Sequence, residues 1–283
     1  ALHVIAEDDP RAGGLVDAAR TSASVLDPRI LRVLDAEREG GRCFVVNEWG
    51  TGISLDILVT NAGVLRDKSL LKMTDEDFDL VINVHLRGTF TCVREAYAYF
   101  KANKVAGRII TIGSPTGQRG NFGQTNYAAA KAGIVGMVRT WALEMKKAGV
   151  TANAIIPVAA TAMTKTVPFF QKAVEADERG EAMPDFFRKD LGFGTADDVA
   201  GLVAFLASDA AAKVTGQAIG VGGDRLQLWS HPEAVATEYK DGGWSYEELV
   251  ERFDDLFGER LQSVGEEFPE LPVELQPEAA GAK

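Results

Sequence analysis

Thr111–Gly133 reads TIGSPTGQRGNFGQTNYAAAKAG, and the fold is decided here. The stretch begins on the end of a short, mostly apolar run, Gly107–Ile112 (GRIITI), which has the length and β-branched content of a buried strand. A loop broken by Gly117, Gly120 and Gly123 follows, and these glycines let the connection fold back over the strand end. An Ala-rich helix is then predicted over Asn126–Lys147, closed by Gly149. Tyr127 and Lys131 are four residues apart on that helix and so share one face. An ammonium beside a phenol favours the phenolate, so the tyrosine pKa is expected to fall below its usual value of about 10. A general acid/base working near neutral pH needs such a group. Ser114 stands at the end of the buried strand, where sheet folds of this type present ligand-facing groups, and its hydroxyl is suited to polarise a carbonyl.

The same alternation continues on either side. Asp56–Thr60 (DILVT) reads as a buried strand. Thr74 reads as the N-cap of a helix with an acidic first turn that runs through Phe78, Val81 and Val84 toward Phe100. Downstream come a strand over Val150–Ile156 stopped by Pro157, an irregular to helical region over 165–193, an amphipathic helix over Asp197–Ser208 and a last strand over Ala218–Val221. Tyr246–Phe257 is predicted helical, and the Glu/Pro-rich end is expected to be partly disordered. Upstream, Leu2–Ile5 reads as a strand, Arg11–Arg20 and Ile30–Glu39 as helices (the second stopped by Gly40-Gly41) and Arg42–Asn47 as a strand. Strands alternating with long helices imply an α/β fold with a doubly wound parallel sheet, Rossmann-like. The simplest division is an atypical N-terminal part over 1–54, a core over 55–224 and a C-terminal extension over 225–283.

Bulk properties narrow the function. A net charge of −11 with no basic patch disfavours nucleic acid and anionic membrane surfaces. Cys43 and Cys92 make no disulfide framework, which points to a reducing cytoplasm. His3, His85 and His231 are dispersed and form no zinc motif, so no metal is expected. No apolar run is long enough to span a bilayer, and Ala1–Val4 lacks the basic and apolar regions of a secretory signal. Gly113-Ser114-Pro115-Thr116-Gly117 is not a G-x-S-x-G elbow, which disfavours a serine hydrolase. The acidic run over Glu175–Glu181 reads as a solvated face near a mobile lid.

Taken together, these motifs resemble the short-chain dehydrogenase/reductase family. Its Ser, Tyr and Lys pattern is met by Ser114, Tyr127 and Lys131 within NYAAAKAG. Thr60-Asn61-Ala62-Gly63 is similar to the family's Asn-Asn-Ala-Gly element, and Asn83 in VINVHLRGTF to the asparagine of its catalytic tetrad. The resemblance implies that Tyr127 exchanges a proton with the substrate oxygen, Ser114 holds that oxygen, and Lys131 binds the nicotinamide ribose and lowers the tyrosine pKa. It implies that Asn83 holds a relay water, and that Asn61, Ala62, Gly63, Pro157 and Thr161 line the cofactor. Pro157-Val158 replaces the family's Pro-Gly, so an altered turn is expected there.

The resemblance covers about residues 55–224. The family's TGxxxGxG turn, which receives the pyrophosphate at a helix N-terminus, does not occur before Asn61, so the N-terminal strands are expected to be reduced or remodelled. RCFVVNEWGTG fits either the family's second strand, with Glu48 on the adenine ribose favouring NAD over NADP, or its third. VGGDRLQLWSHPEAV and DGGWSYEELVERF resemble the tail of a bacterial subset related to the dehydrogenase part of multifunctional β-oxidation enzymes. That subset acts on 3-hydroxyacyl thioesters, steroids or cyclic alcohols, so a bulky apolar substrate is implied. Trp229 and Trp244 suit a pocket wall, a subunit contact or core packing. Two functions remain. One is an NAD- or NADP-dependent oxidoreductase, as a homodimer or homotetramer, interconverting a carbonyl and a secondary alcohol. The other is an inactive subunit of the same fold acting through oligomerisation.

Overall fold

The computed structural model describes residues 2–6, 33–39, 42–47, 55–161, 164, 167–266 and 268–275. The chain divides into two compact units, Ala1–Asp56 and Ile57–Lys283.

In the first unit, β1 (Leu2–Ala6), β2 (Val33–Glu39) and β3 (Arg42–Asn47) form an antiparallel sheet with β3 in the centre. Leu2 stands opposite Val46, and Glu39 opposite Arg42. The helix expected over Ile30–Glu39 is therefore corrected to a strand over most of its length. Gly-Gly between two stretches is a hairpin signal as well as a helix stop, and pairing along β3 outweighs the helix preference of Ala36, Glu37 and Arg38. RCFVVN is a strand as expected, but it is antiparallel to both neighbours, not the second or third strand of a parallel sheet. The helix expected over Arg11–Arg20 and the ribose-binding role of Glu48 lie outside the described residues.

The second unit is built on β4 (Ile57–Thr60), β5 (Arg108–Ile112), β6 (Thr151–Pro157), β7 (Ala218–Gly222) and β8 (Arg225–Trp229), which pair in chain order. The first four are parallel, with Leu58 beside Ile109, Ile110 beside Asn153 and Ile155 beside Ile219. β8, which the sequence reading left out, returns antiparallel to β7 with Gly222 opposite Arg225. Gly223 (φ 52°) and Asp224 make the two-residue turn, and the alternation in RLQLW is the strand signal that went unread.

Each parallel crossover carries helices. Between β4 and β5 run α1 (Asp75–Val81), a π-helical segment over Ile82–Arg87 and α2 (Gly88–Asn103). The expected start is met: Thr74 accepts from the Asp77 N–H at 3.2 Å, and the Asp77 carboxylate accepts from the Thr74 N–H. Between β5 and β6 run α3 (Pro115–Arg119) and α4 (Thr125–Glu144), ended by a short 3₁₀ turn and Gly149 at φ 69°. Between β6 and β7 run α5 (Gln171–Glu178) and α6 (Ala196–Ala207), and after β8 comes α7 (Tyr246–Phe257).

Strand alternation splits the core into two layers. Ile110, Ile155 and Ile219 pack with Leu206 of α6, while the neighbouring Ile156 lies on the side of Val135 of α4. Helices thus cover both faces of a mostly parallel sheet, the doubly wound Rossmann-like arrangement that the alternation of elements predicted. No helix among the described residues is long and apolar enough to cross a membrane.

Candidate active site

The site forms at the carboxyl end of β5. The Gly113 N–H continues the ladder to Ile155 O at 2.7 Å, and a Cβ here would lie 2.3 Å from Ile156 Cδ1, so any side chain would have to displace that methyl. Ser114 then caps α3, its Oγ accepting from the Thr116 N–H at 3.2 Å, with Pro115 at the first helical position. α3 rests directly on α4: a Cβ on Gly117 would be 2.7 Å from the Lys131 backbone.

The start of α4 is pinned by Asn126, a fully buried residue within the quoted motif that sequence reading gave no role. Its Oδ1 accepts from the Tyr127 N–H at 2.7 Å, and its Nδ2 donates to Arg66 O and Asp77 O at 3.1 Å each. Tyr127 and Lys131 do share a face. Lys131 is 4% exposed, and its ammonium donates to Ile112 O at 2.7 Å and lies 5.4 Å from the Tyr127 ring centroid.

The expected electrostatics are corrected. Burial pushes the Tyr127 phenol above its ordinary value; the Ser114 hydroxyl works the other way, and the Asp67 carboxylate adds to the rise. Burial also lowers Lys131 to about 8. Desolvation of a half-buried phenol therefore outweighs its neighbours, and without a ligand Tyr127 is held protonated.

Asn83 is exposed, and its carbonyl accepts from the Gly88 N–H. The residue brought to Tyr127 is His85, two places on and on nearly the opposite side of the helix. His85 is 2% exposed and meets the Tyr127 ring edge to face, with centroids 5.2 Å apart. A signal was available: Val81, His85, Thr89 and Val93 recur every four residues, and all are buried. A π-helical turn at such a place is a recurrent mark of a functional site.

The other expected cofactor residues stand at the carboxyl ends of neighbouring strands. Asn61 and Ala62 are exposed just after β4, and a Cβ on Gly63 would lie 2.5 Å from His85 Cε1. After Pro157, Val158 is tied on both sides, its N–H to Val221 O at 2.9 Å and its carbonyl to the Gly194 N–H at 3.1 Å. The glycines that permit this turn are on the facing chain, where a Cβ on Gly222 would lie 2.2 Å from Val158 O. Thr161 is exposed four residues past Pro157, its N–H donating to Thr164 Oγ1 at 2.8 Å. Beyond it an aromatic cluster forms around α5: Phe170 stacks on Phe193 at 4.4 Å, and Phe268 from the tail meets Phe169 at 5.2 Å.

The residues present suit the nicotinamide end of a dinucleotide. One bond of the Lys131 ammonium goes to Ile112 O, and its other protons are available to vicinal hydroxyls. Among the described residues, no group of His, Cys, Asp and Glu is placed to hold a metal ion.

Comparison with known proteins bears on the family and the fold. Residues 17–223 match the family model described as enoyl-(acyl carrier protein) reductase, a span that begins upstream of the motifs read from the sequence. The chain is 39% identical over 212 residues to 3-oxoacyl-[acyl-carrier-protein] reductase FabG of Thermotoga maritima, covering 74% of this chain and 80% of the relative. It is 40% identical over 214 residues to hydroxyacyl-CoA dehydrogenase ChsB1 of Mycobacterium tuberculosis, covering 73% of this chain and 64% of the relative. The crystal structure of a short chain dehydrogenase from Mycobacterium avium superposes with a TM-score of 0.59 at 34% identity, covering 74% of this chain and 65% of that one.

Proposed function

The chain belongs to the short-chain dehydrogenase/reductase family, and from that premise we propose that it is an NAD(P)-dependent oxidoreductase that interconverts 3-oxoacyl and 3-hydroxyacyl thioesters. The observation that carries the chemistry is the buried Lys131 ammonium beneath the ring of Tyr127, with Ser114 alongside. The relatives named for acyl carrier protein and coenzyme A thioesters support the substrate class.

In reduction, the Tyr127 hydroxyl gives its proton to the carbonyl oxygen while the Ser114 hydroxyl donates a hydrogen bond to the same atom. A nicotinamide cofactor held there would supply the hydride for the carbonyl carbon, or take it up in the reverse direction. Lys131 holds the ribose hydroxyls and keeps a positive charge beside the phenolate left behind. Asn61, Ala62, Gly63, Pro157 and Thr161 are the further cofactor contacts. The assembly is a homodimer or homotetramer, to which exposed Phe90 on α2 and Leu143 on α4 contribute apolar surface.

Burial keeps Tyr127 in the form that reduction needs, and it sets an upper limit in pH through Lys131. The ammonium is charged below about 8 and neutral above it. Reduction rates are expected to hold up to that pH and then fall about tenfold for each further unit, as the charge that stabilises the phenolate is lost. Initial rates of thioester reduction across this range check it.

The function is tested by titrating NADH and NADPH against protein fluorescence and assaying a 3-oxoacyl thioester. Binding of NADH or NADPH, with turnover, is the expected result. No binding at about 1 mM, the weak end of ordinary enzyme affinities, overturns the enzyme reading in favour of a subunit that acts by association.

A further inference from the structure

The polar side chains along α3 are engaged, with one exception. Ser114 Oγ holds the Thr116 N–H and meets the Tyr127 hydroxyl. Thr116 Oγ1 donates to Gln124 Oε1 at 3.1 Å. Arg119 is tied to the tail, its Nε donating to Gly265 O and its carbonyl accepting from the Gly265 N–H, both at 2.8 Å. Gln118 is the exception: its Nε2 is buried and, among the described residues, has no hydrogen-bond partner. A buried amide nitrogen left unpaired in a folded chain is uncommon and has a reason. Its place on α3 supplies one. Gly117 is pressed against the backbone of Lys131 and Ala132, so that side of α3 belongs to α4. Gln118 lies four residues past Ser114 and shares the Ser114 side, one turn further along.

We propose that Gln118 is a substrate-binding residue that reads the thioester carbonyl. Its amide N–H donates to that oxygen, while Ser114 and Tyr127 hold the oxygen of the reacting ketone. This rests on the oxidoreductase reading and adds a second point of attachment to it. The spacing fits. Four residues of helix rise about 6 Å, and the two carbonyl carbons of a 3-oxoacyl thioester are separated by a single CH2. One short and one long side chain, a turn apart, therefore reach both oxygens. The chemistry fits as well, because a carbonyl oxygen only accepts and the orphaned atom is a donor. With one attachment the ketone can still turn about the bond to Tyr127. With two, the face it offers for hydride transfer is fixed. A ketone lacking the second carbonyl leaves the amide buried and unpaired, and is disfavoured for that reason.

The test uses two substrates that share the ketone. One is acetoacetyl-CoA; the other is 3-oxobutyl-CoA, the thioether in which a CH2 replaces the thioester carbonyl. Each is assayed with wild type, Gln118→Met and Gln118→Glu, after circular dichroism has established that the variants fold. Methionine keeps the length and removes the donor; glutamate keeps the shape and puts an acceptor in its place. The quantity read is kcat/KM for acetoacetyl-CoA divided by kcat/KM for 3-oxobutyl-CoA. The intrinsic difference in reactivity between the two ketones cancels when this ratio is compared between proteins. It is expected to be about 10–100-fold lower in both variants than in wild type. A substitution that merely disturbs packing lowers both rates together and leaves the ratio alone, so an unchanged ratio in either folded variant overturns the proposal.

Binding to wild type decides the matter without a variant and without turnover. Equilibrium dialysis is expected to show acetoacetyl-CoA held about 10-fold more tightly than 3-oxobutyl-CoA. Equal affinities overturn the proposal even where the ketone is reduced. If wild type reduces neither compound with NADH or NADPH, the oxidoreductase reading has failed. Tighter binding of acetoacetyl-CoA that is lost in Gln118→Met would still identify Gln118 as the partner of the thioester carbonyl.

Discussion

Tyr127→Phe is expected to lower turnover by about 10²–10⁴-fold, the usual worth of a positioned general acid, while leaving the fold and cofactor affinity nearly intact. The substitution removes one oxygen. The ring remains edge-on to His85, the Tyr127 N–H is still held by Asn126, and Lys131 remains bound to Ile112 O, a bond that does not involve the phenol. Ser114 loses a neighbour but keeps its cap on Thr116. Stability is therefore expected to change by less than about 1 kcal/mol. Steady-state rates, NADH titration and urea unfolding of the variant check the three parts. Turnover at the wild-type rate would remove Tyr127 from the chemistry and with it the proposed mechanism.

Lys131→Met is expected to abolish activity and yet stabilise the protein. Lys131 is 4% exposed, and lowering its pKa to about 8 from 10.5 costs the folded state about 3 kcal/mol at neutral pH. Methionine fills nearly the same volume without charge. It leaves Ile112 O without its donor, which gives back about 1 kcal/mol. A net gain of about 2 kcal/mol follows at pH 7. The sign can be checked against pH. Lysine is depressed in the folded state, so the unfolded chain binds the extra proton between about 8 and 10.5, and wild type grows more stable as pH rises through that window. The advantage of methionine should thus fade over the same interval. Urea unfolding at neutral and alkaline pH measures both. A variant less stable than wild type at pH 7 would mean that the ammonium is paired well enough to repay its burial. The expected trade of stability for activity is the usual one at a preorganised site.

What could be read from the sequence was whatever the chain fixes over a few residues. Thr74 and Asp77 cap their helix because three residues separate them, and Tyr127 and Lys131 share a face because four do. GRIITI is a buried strand from its composition alone. These readings survive folding because helical and pleated periodicity are local covalent geometry. The resemblance to a family added the turn at Asn61–Gly63.

Where reading fell short, the deciding interaction was non-local. Helix propensity over Ile30–Glu39 yielded to pairing with β3. That the buried His85 meets the ring of Tyr127, on a helix more than forty residues away, follows from how the two helices pack. Phe268 meets Phe169 across almost a hundred residues of chain, a contact that no local pattern announces.

The phenol shows the division most clearly. The four-residue spacing alone placed a cation beside Tyr127, but the direction in which its pKa moves was decided by the folded chain. A charge–charge attraction can be inferred from two positions on one helix. Desolvation is the sum over everything else that folds around the ring, and only the packed structure supplies that sum.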